Sequence, residues 1–356
     1  MSPGRSRWLA LLAAIPVSLG VPVSFGAPAG ELPAGATGLQ PDVIFTDYSP
    51  LSRSLELARR LLTPLANQEL NRVSANTHTA LREQPVDLSQ ESFAVYVPPN
   101  APPAGYGLLA FIPPWDKAYL PAGWTYVLDQ HGMIFVSASR SGNPQNVVDR
   151  RIPLALLGAY NIMQRYPIDQ RRVYIGGFSG GSRVAMRVAL AYPDLFHGAL
   201  LNAGSDPIGT NEAVLPSTDL FEQFQTSSRL IYVTGERDSW NIDHDADSVH
   251  TMNSWCVFGT SIEKMVNEGH EAADPRALSR ALSSLGELSG PDPEKLAACR
   301  QRIARALAAD LMKARDLVDH GQTHDAWRLL TKIDARYGRL AVPDSIELAE
   351  RIGTRR

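Results

Sequence analysis

The apolar positions of this chain gather in short dense runs. Residues 92–97, 107–112, 134–138, 173–177, 198–202, 230–234 and 259–266 are such runs, and Pro98-Pro99 and Pro113-Pro114 close the first two. Runs of this kind, bounded by proline and glycine, read as strands. Between them the period lengthens. Residues 147–165, with Leu154, Leu156 and Leu157, and residues 182–191 read as helices. Leu51, Leu55, Leu61, Leu62 and Leu65 form a helical pattern broken by Pro64. Strands alternating with helices predict an α/β fold, a mostly parallel sheet flanked by helices on both faces.

From Asp292 the pattern changes. Residues 294–318, 323–337 and 345–352 read as charged helices in which Ala and Leu recur, separated by Gly321 and Gly338. Such pairs resemble a fragment of a helical repeat, but no clear second copy follows, so the region reads as a C-terminal helical appendage. The expected organisation is a leader over 1–29, a lead-in and helix over 30–90, an α/β domain over 91–289 and a helical region over 290–356. Residues 30–50, rich in Gly, Pro and Ala, read as flexible.

The leader has its own grammar. Arg5 and Arg7 precede a mostly apolar run over 8–25, and Ala27-Pro28-Ala29 puts small residues where a signal peptidase reads. This is the layout of a secretory signal peptide, cleaved after Ala29 or after Gly26. Pro16, Gly20 and Pro22 interrupt the run, which argues against an uncleaved anchor. The mature chain is therefore expected in the periplasm or outside the cell, without stable membrane insertion.

Hydrophobic residues make up 44% of the chain and charged residues 20%, as in an ordinary globular protein. The net charge of −3 becomes −5 without the leader, which holds two arginines and no acid. An acidic mature chain has no broad electrostatic attraction to nucleic acid. Cys256 and Cys299 can pair in an exported protein and tie the helical region to the α/β domain, or stay as buried thiols.

Gly177-Phe178-Ser179-Gly180-Gly181 fits the pattern Gly-x-Ser-x-Gly. It follows the apolar run ending at Gly177 and precedes the helical run over 182–191. A serine on such a strand-to-helix turn is held strained and exposed, at a helix N-terminus whose free N–H groups favour a developing negative charge. Ser179 is thus the candidate nucleophile, and Gly180 the candidate donor of one oxyanion-hole N–H. A structural or phosphate-binding glycine turn is the competing reading. The chain shows neither Gly-x-Gly-x-x-Gly nor a Gly-Lys-Ser ending there.

A nucleophile on this kind of turn is followed along the chain by its acid and then its histidine. Gly235-Glu236-Arg237-Asp238 follows the run over 230–234, which makes Asp238 the candidate acid and Asp206 the runner-up; Asp243, Asp245 and Asp247 read as solvated loop residues. His270, in a late loop after the last strand, is the candidate base, ahead of His244, His250 and His197. His320 and His324 fall in the appendage, and His78 and His131 precede Ser179. His244, Asp245, Asp247 and His250 are possible metal ligands, but lack the helical His-Glu-x-x-His pattern; no metal or organic cofactor is expected. After the run over 107–112 the chain reads Pro113-Pro114-Trp115-Asp116. Prolines have no N–H, so Trp115 is the candidate second oxyanion donor, its ring a candidate pocket wall.

These residues carry a likeness. Tyr174-Ile175-Gly176-Gly177-Phe178-Ser179-Gly180-Gly181, then Ala191-Tyr192-Pro193-Asp194-Leu195-Phe196, with Asp169-Gln170-Arg171-Arg172-Val173 as lead-in, resemble the α/β-hydrolase superfamily. Within it they look most like secreted esterases related to polyhydroxybutyrate depolymerases and feruloyl esterases. The resemblance covers residues 92–288. It implies Ser179 as nucleophile, His270 as base and Asp238 as acid. The family usually has a His-Gly pair where this chain has Pro113-Pro114, a departure that falls on the oxyanion region.

The expected activity is cleavage of a small or polymeric carboxylic ester through an acyl-enzyme. A serine peptidase or amidase using the same three residues is the first alternative. A non-catalytic, hydrolase-like binding protein is the second.

Overall fold

The computed structural model describes residues 30–353 except 34, 79, 288 and 289. The expected leader lies outside the described residues, as does Ser289 at the expected domain boundary. The described strands are β1 (Gly30–Glu31), β2 (Gly38–Ile44), β3 (Phe93–Val97), β4 (Tyr106–Ile112), β5 (Met133–Ala138), β6 (Ile168–Phe178), β7 (Gly198–Asn202), β8 (Arg229–Gly235) and β9 (Thr260–Met265). The helices are α1 (Ser54–Leu61), α2 (Pro64–Thr77), α3 (Trp124–His131), α4 (Ile152–Arg165), α5 (Gly180–Ala191), α6 (Thr218–Ser227), α7 (Ser239–Ser254), α8 (Pro275–Leu285), α9 (Pro293–Asp319), α10 (Thr323–Tyr337) and α11 (Asp344–Gly353).

The strands form one sheet in the order β1-β2-β3-β5-β4-β6-β7-β8-β9. β3 runs antiparallel to both its neighbours, and from β5 to β9 every pairing is parallel. Both faces are buried. On β4, Leu108, Ala110 and Ile112 join one core, and Leu109 and Phe111 join the other. That alternation is the two-residue period of a strand covered on both sides, and it is why the run reads as continuously apolar. The first core takes in α4 and α5, the second α3 and α8. The architecture is α/β, a mostly parallel sheet flanked by helices on both faces, with a C-terminal helical appendage.

Two expectations need correction. Residues 30–50 contain β2, whose Gly38, Leu39 and Gln40 pair with Val97, Tyr96 and Val95 of β3, so the sheet begins well before residue 91. Its burial alternates instead of running continuously, because it lies near the sheet's edge, and its Gly and Pro disguised it. Second, Asp243, Asp245 and Asp247 lie on helix α7, not in a loop.

The helical pattern is broken before Pro64, as expected, and Pro64 starts the second helix. Thr63 caps α2, its Oγ1 accepting from Ala66 N at 3.3 Å, and Pro64 takes the first turn, where no N–H is needed. Asp274-Pro275 and Asp292-Pro293 start α8 and α9 in the same way. The Tyr192-Pro193-Asp194 stretch is clamped by Arg60 of α1. Its buried guanidinium donates to both Asp194 oxygens, at 2.6 and 2.8 Å, and to the Ala191 carbonyl at 3.0 Å.

The appendage packs into the same hydrophobic core as the sheet's first face, through Leu311, Ala314, Leu330, Ile333 and Leu348. A Cys256–Cys299 disulfide joins α9 to the chain just past α7. Arg300 Nε donates to Gln225 Oε1 of α6 at 2.7 Å, and Asp334 Oδ1 accepts from Leu65 N at 3.1 Å.

Candidate active site

The parallel strands end together. Ile112 is in register with Gly177, Phe178 with Asn202, Asn202 with Val233 and Gly235 with Met265. The loops after β4, β6, β8 and β9 therefore open on one edge of the sheet, where ligand sites of open α/β sheets form. They carry Trp115, Ser179, Asp238 and His270.

Ser179 sits between β6 and α5 with φ 54° and ψ −124°. This left-handed backbone is costly for a residue with a Cβ, by about 1–3 kcal/mol, and persists only where surroundings impose it. Here Ser179 N donates to Asn202 O at 2.8 Å, and its carbonyl accepts from Ser182 N at 3.0 Å. The turn closes this tightly because Gly181 has no side chain: a Cβ there would collide with the Ile112 carbonyl at the end of β4. Gly180 is the first residue of α5, where backbone N–H groups have no intrahelical acceptor.

The structure brings Ser179, His270 and Asp238 into one hydrogen-bonded series. Asp238 Oδ2 accepts from His270 Nδ1 at 2.7 Å, and Ser179 Oγ lies 2.9 Å from His270 Nε2. The Asp238 side chain is 8% exposed and that of His270 45%. Burial works to raise the Asp238 carboxyl, but hydrogen bonds from His270 and Asn241 outweigh it and hold the group below its ordinary value. An ionised carboxylate only accepts, so Nδ1 carries the imidazole proton and Nε2 presents its lone pair to the Ser179 hydroxyl.

Asp238 is also the N-cap of α7. Three residues on, Asn241 is 2% exposed and donates through Nδ2 to Asp238 Oδ2 at 2.7 Å. Arg183 Nη2 donates to Asn241 Oδ1 at 3.3 Å. Asp206, the alternative acid, does not reach the histidine. It accepts from Arg183 Nε at 3.0 Å and Arg187 Nη2 at 3.2 Å, so it anchors the arginine behind Asn241. Asn241 escaped sequence reasoning because α7 buries Asn241, Asp245, Ser248 and Met252. Their spacing is helical, but the face is mostly polar, and a search for apolar periodicity passes over it.

The other candidates disperse. Asp245 points inward and accepts from Ser205 Oγ at 2.5 Å and Thr234 Oγ1 at 2.6 Å; burial raises its carboxyl above the ordinary value. The His244 ring lies tilted against Trp240 with ring centroids 4.0 Å apart, and Asp247 and His250 are exposed on α7. Among the described residues no three His, Cys, Asp or Glu side chains converge as metal ligands. His197 precedes β7, its backbone N donating to Val173 O at 2.9 Å.

Trp115 lies beside the site through its ring. It stacks on Tyr119 at 4.6 Å and lies 6.0 Å from Phe178, whose own ring is 4.9 Å from that of His270. This gives one wall of the site an aromatic surface, with Tyr119 48% exposed.

No family model matches the chain. A poly(3-hydroxybutyrate) depolymerase of Ralstonia pickettii is 30% identical over 104 residues, a stretch covering 25% of this chain and 21% of that protein. The chain thus matches about a fifth of the length of that curated relative. A poly(3-hydroxybutyrate) depolymerase is thus among the curated proteins to which a quarter of this chain is similar. Among solved structures, an S-formylglutathione hydrolase from Staphylococcus aureus is 14% identical with a TM-score of 0.42, covering 55% of this chain and 92% of that one. A poly(3-hydroxybutyrate) depolymerase from Bordetella parapertussis is 17% identical with a TM-score of 0.40, covering 59% and 88%.

Proposed function

We propose that this protein is an exported serine hydrolase that cleaves a carboxylic ester through an acyl-enzyme on Ser179. The observation that carries the reading is the hydrogen-bonded series from Ser179 Oγ through His270 to Asp238, on a strained turn at the head of a helix.

In this reading His270 Nε2 takes the Ser179 proton as Oγ attacks the ester carbonyl. Asp238 holds the imidazole upright and stabilises the imidazolium. Backbone N–H groups of Gly180 and Trp115 are assigned here to stabilise the oxygen that becomes negative. The imidazolium then gives its proton to the leaving alcohol. Water, deprotonated by the same nitrogen, attacks the acyl carbonyl, releases the acid and returns the proton to Ser179. Every proton is carried by the chain's own groups, and no metal or organic cofactor has a role in these steps.

The name of the Ralstonia relative makes a polyester one candidate substrate; phenolic esters, acetylated sugars and small esters are others. The open placement of His270 and the exposed Tyr119 at the far end of the aromatic wall suit a substrate that approaches along a surface. Export rests on the leader over 1–29. Among the described residues no helix is long and apolar enough to cross a membrane.

A fluorophosphonate probe should label the wild type and not Ser179→Ala. Nitrophenyl esters should turn over faster than the matching peptide anilides. Preferential turnover of anilides would assign the protein to the peptidases or amidases. Absence of both labelling and turnover would leave a binding protein.

A further inference from the structure

In the oxyanion region Pro113 and Pro114 are two successive residues that lack an N–H. The loop after β5 brings a side chain to the same place. Asn143 N donates to Pro114 O at 3.0 Å, which fastens this loop onto the one after β4. The Asn143 amide then lies directly against Gly180. A Cβ built on Gly180 would stand 2.9 Å from Asn143 Cγ and 3.1 Å from Nδ2, and would collide with Oδ1. Glycine at 180 thus has a steric reason: it leaves room for a side-chain amide against the first residue of α5, next to the nucleophile.

Arg151 explains how the amide is turned. It is 3% exposed, and its Nε and Nη2 donate to Ser141 O at 2.9 Å and Pro113 O at 3.0 Å. Nη2 also faces Asn143 Oδ1 across a long 3.5 Å contact. No carboxylate pairs with this guanidinium among the described residues, and burial lowers it to about 10. A buried cation without a counter-ion selects carbonyl oxygens around it. With Oδ1 turned to Arg151, both N–H groups of Asn143 Nδ2 lack an acceptor among the described residues, and the side chain is exposed at the site.

We propose that the Asn143 side-chain amide is a further catalytic residue, an oxyanion donor acting beside the Gly180 N–H. It rests on the reading of Ser179 as nucleophile. Arg151 is a positioning residue that turns the amide so that its donor end faces the reacting oxygen.

The test uses the mature enzyme and two variants, with a nitrophenyl ester as substrate and an alkyl boronic acid as tetrahedral analogue. Asn143→Ala removes the donor. Asn143→Asp keeps an acceptor for Arg151 and removes the donor. Loss of one such donor lowers kcat by about 10²–10³-fold. Both variants should lose kcat on that scale with KM within a few-fold of wild type, and boronate affinity should fall in parallel. A purely structural amide predicts the opposite for Asn143→Asp, which would form an ion pair with Arg151 and retain activity. Should the alanine variant melt early, the aspartate variant decides. Turnover by Asn143→Asp within about threefold of wild type would overturn the donor role and leave Ser179 standing as nucleophile. A wild type that neither turns over esters nor is labelled at Ser179 would overturn both.

Discussion

Asn241 Nδ2 and His270 Nδ1 converge on one oxygen, Asp238 Oδ2, each at 2.7 Å, which places the two nitrogens 3.1 Å apart. The carboxylate is therefore held from two sides, and the second holder is itself fixed through Arg183 to Asp206.

Replacing Asn241 by leucine removes one of these donors at similar volume. A hydrogen bond to a charged group contributes about 1.5–3 kcal/mol, so kcat/KM should fall about 10–100-fold. Asn241 lowers the Asp238 carboxyl, so its loss moves that group upward and shifts any acid limb set by Asp238 to higher pH. A pH–rate profile of Asn241→Leu checks this; an unmoved limb would deny Asn241 its role.

Asp238→Asn should cost about 10⁴-fold in kcat, because an amide no longer selects the tautomer with its proton on Nδ1. Stability should respond too. The folded carboxyl lies below its ordinary value, so its contribution is present above about pH 4 and is lost as pH falls through the folded value. Asparagine caps a helix about as well as aspartate, so the α7 cap survives the change. The melting-temperature gap between wild type and Asp238→Asn should be widest near neutrality and close in acid.

Ser179 occupies backbone space that suits glycine. Ser179→Gly should be as inactive as Ser179→Ala but more stable, by roughly 1 kcal/mol after the glycine's extra unfolded-state entropy is set against the relieved strain. Denaturant melts of the two variants measure the difference. Equal midpoints would mean that the turn is unstrained.

The Cys256–Cys299 disulfide closes a loop with a sequence separation of 43. Chain-entropy reasoning puts its contribution at about 4 kcal/mol, and removing a native disulfide typically costs about 2–5 kcal/mol. The native protein should show no free thiol at these two positions. Cys256→Ala paired with Cys299→Ala should lower the denaturant midpoint while leaving kcat within a few-fold, because the link lies at the end of α7 away from Asp238.

Much of the fold was legible because β3 to β8 are buried on both faces or bounded by proline, and dense apolar runs advertise that burial. β2 was missed where its burial alternates near the sheet's edge, and α7 where a helix covers a polar site. The short helices α3 and α6 were passed over too, although Trp124, Val127 and Leu128 lie at helical spacing on the first. In the site, Ser179, Asp238 and His270 stood out because each follows a readable strand. Asn241, Asn143 and Arg151 have no such marker.

The sequence by itself determined the order of the densely apolar strands, the turn at Ser179, and that candidate carboxylates and imidazoles follow it after later strands. Those are local properties, written in apolar period, proline and glycine. Only the tertiary structure decided which polar groups meet. Asp206 is close to the nucleophile in chain order yet is spent on two arginines, whereas Asn143 comes from an earlier loop and reaches Gly180. Register between parallel strands sets such meetings, and no residue carries its register in its own identity.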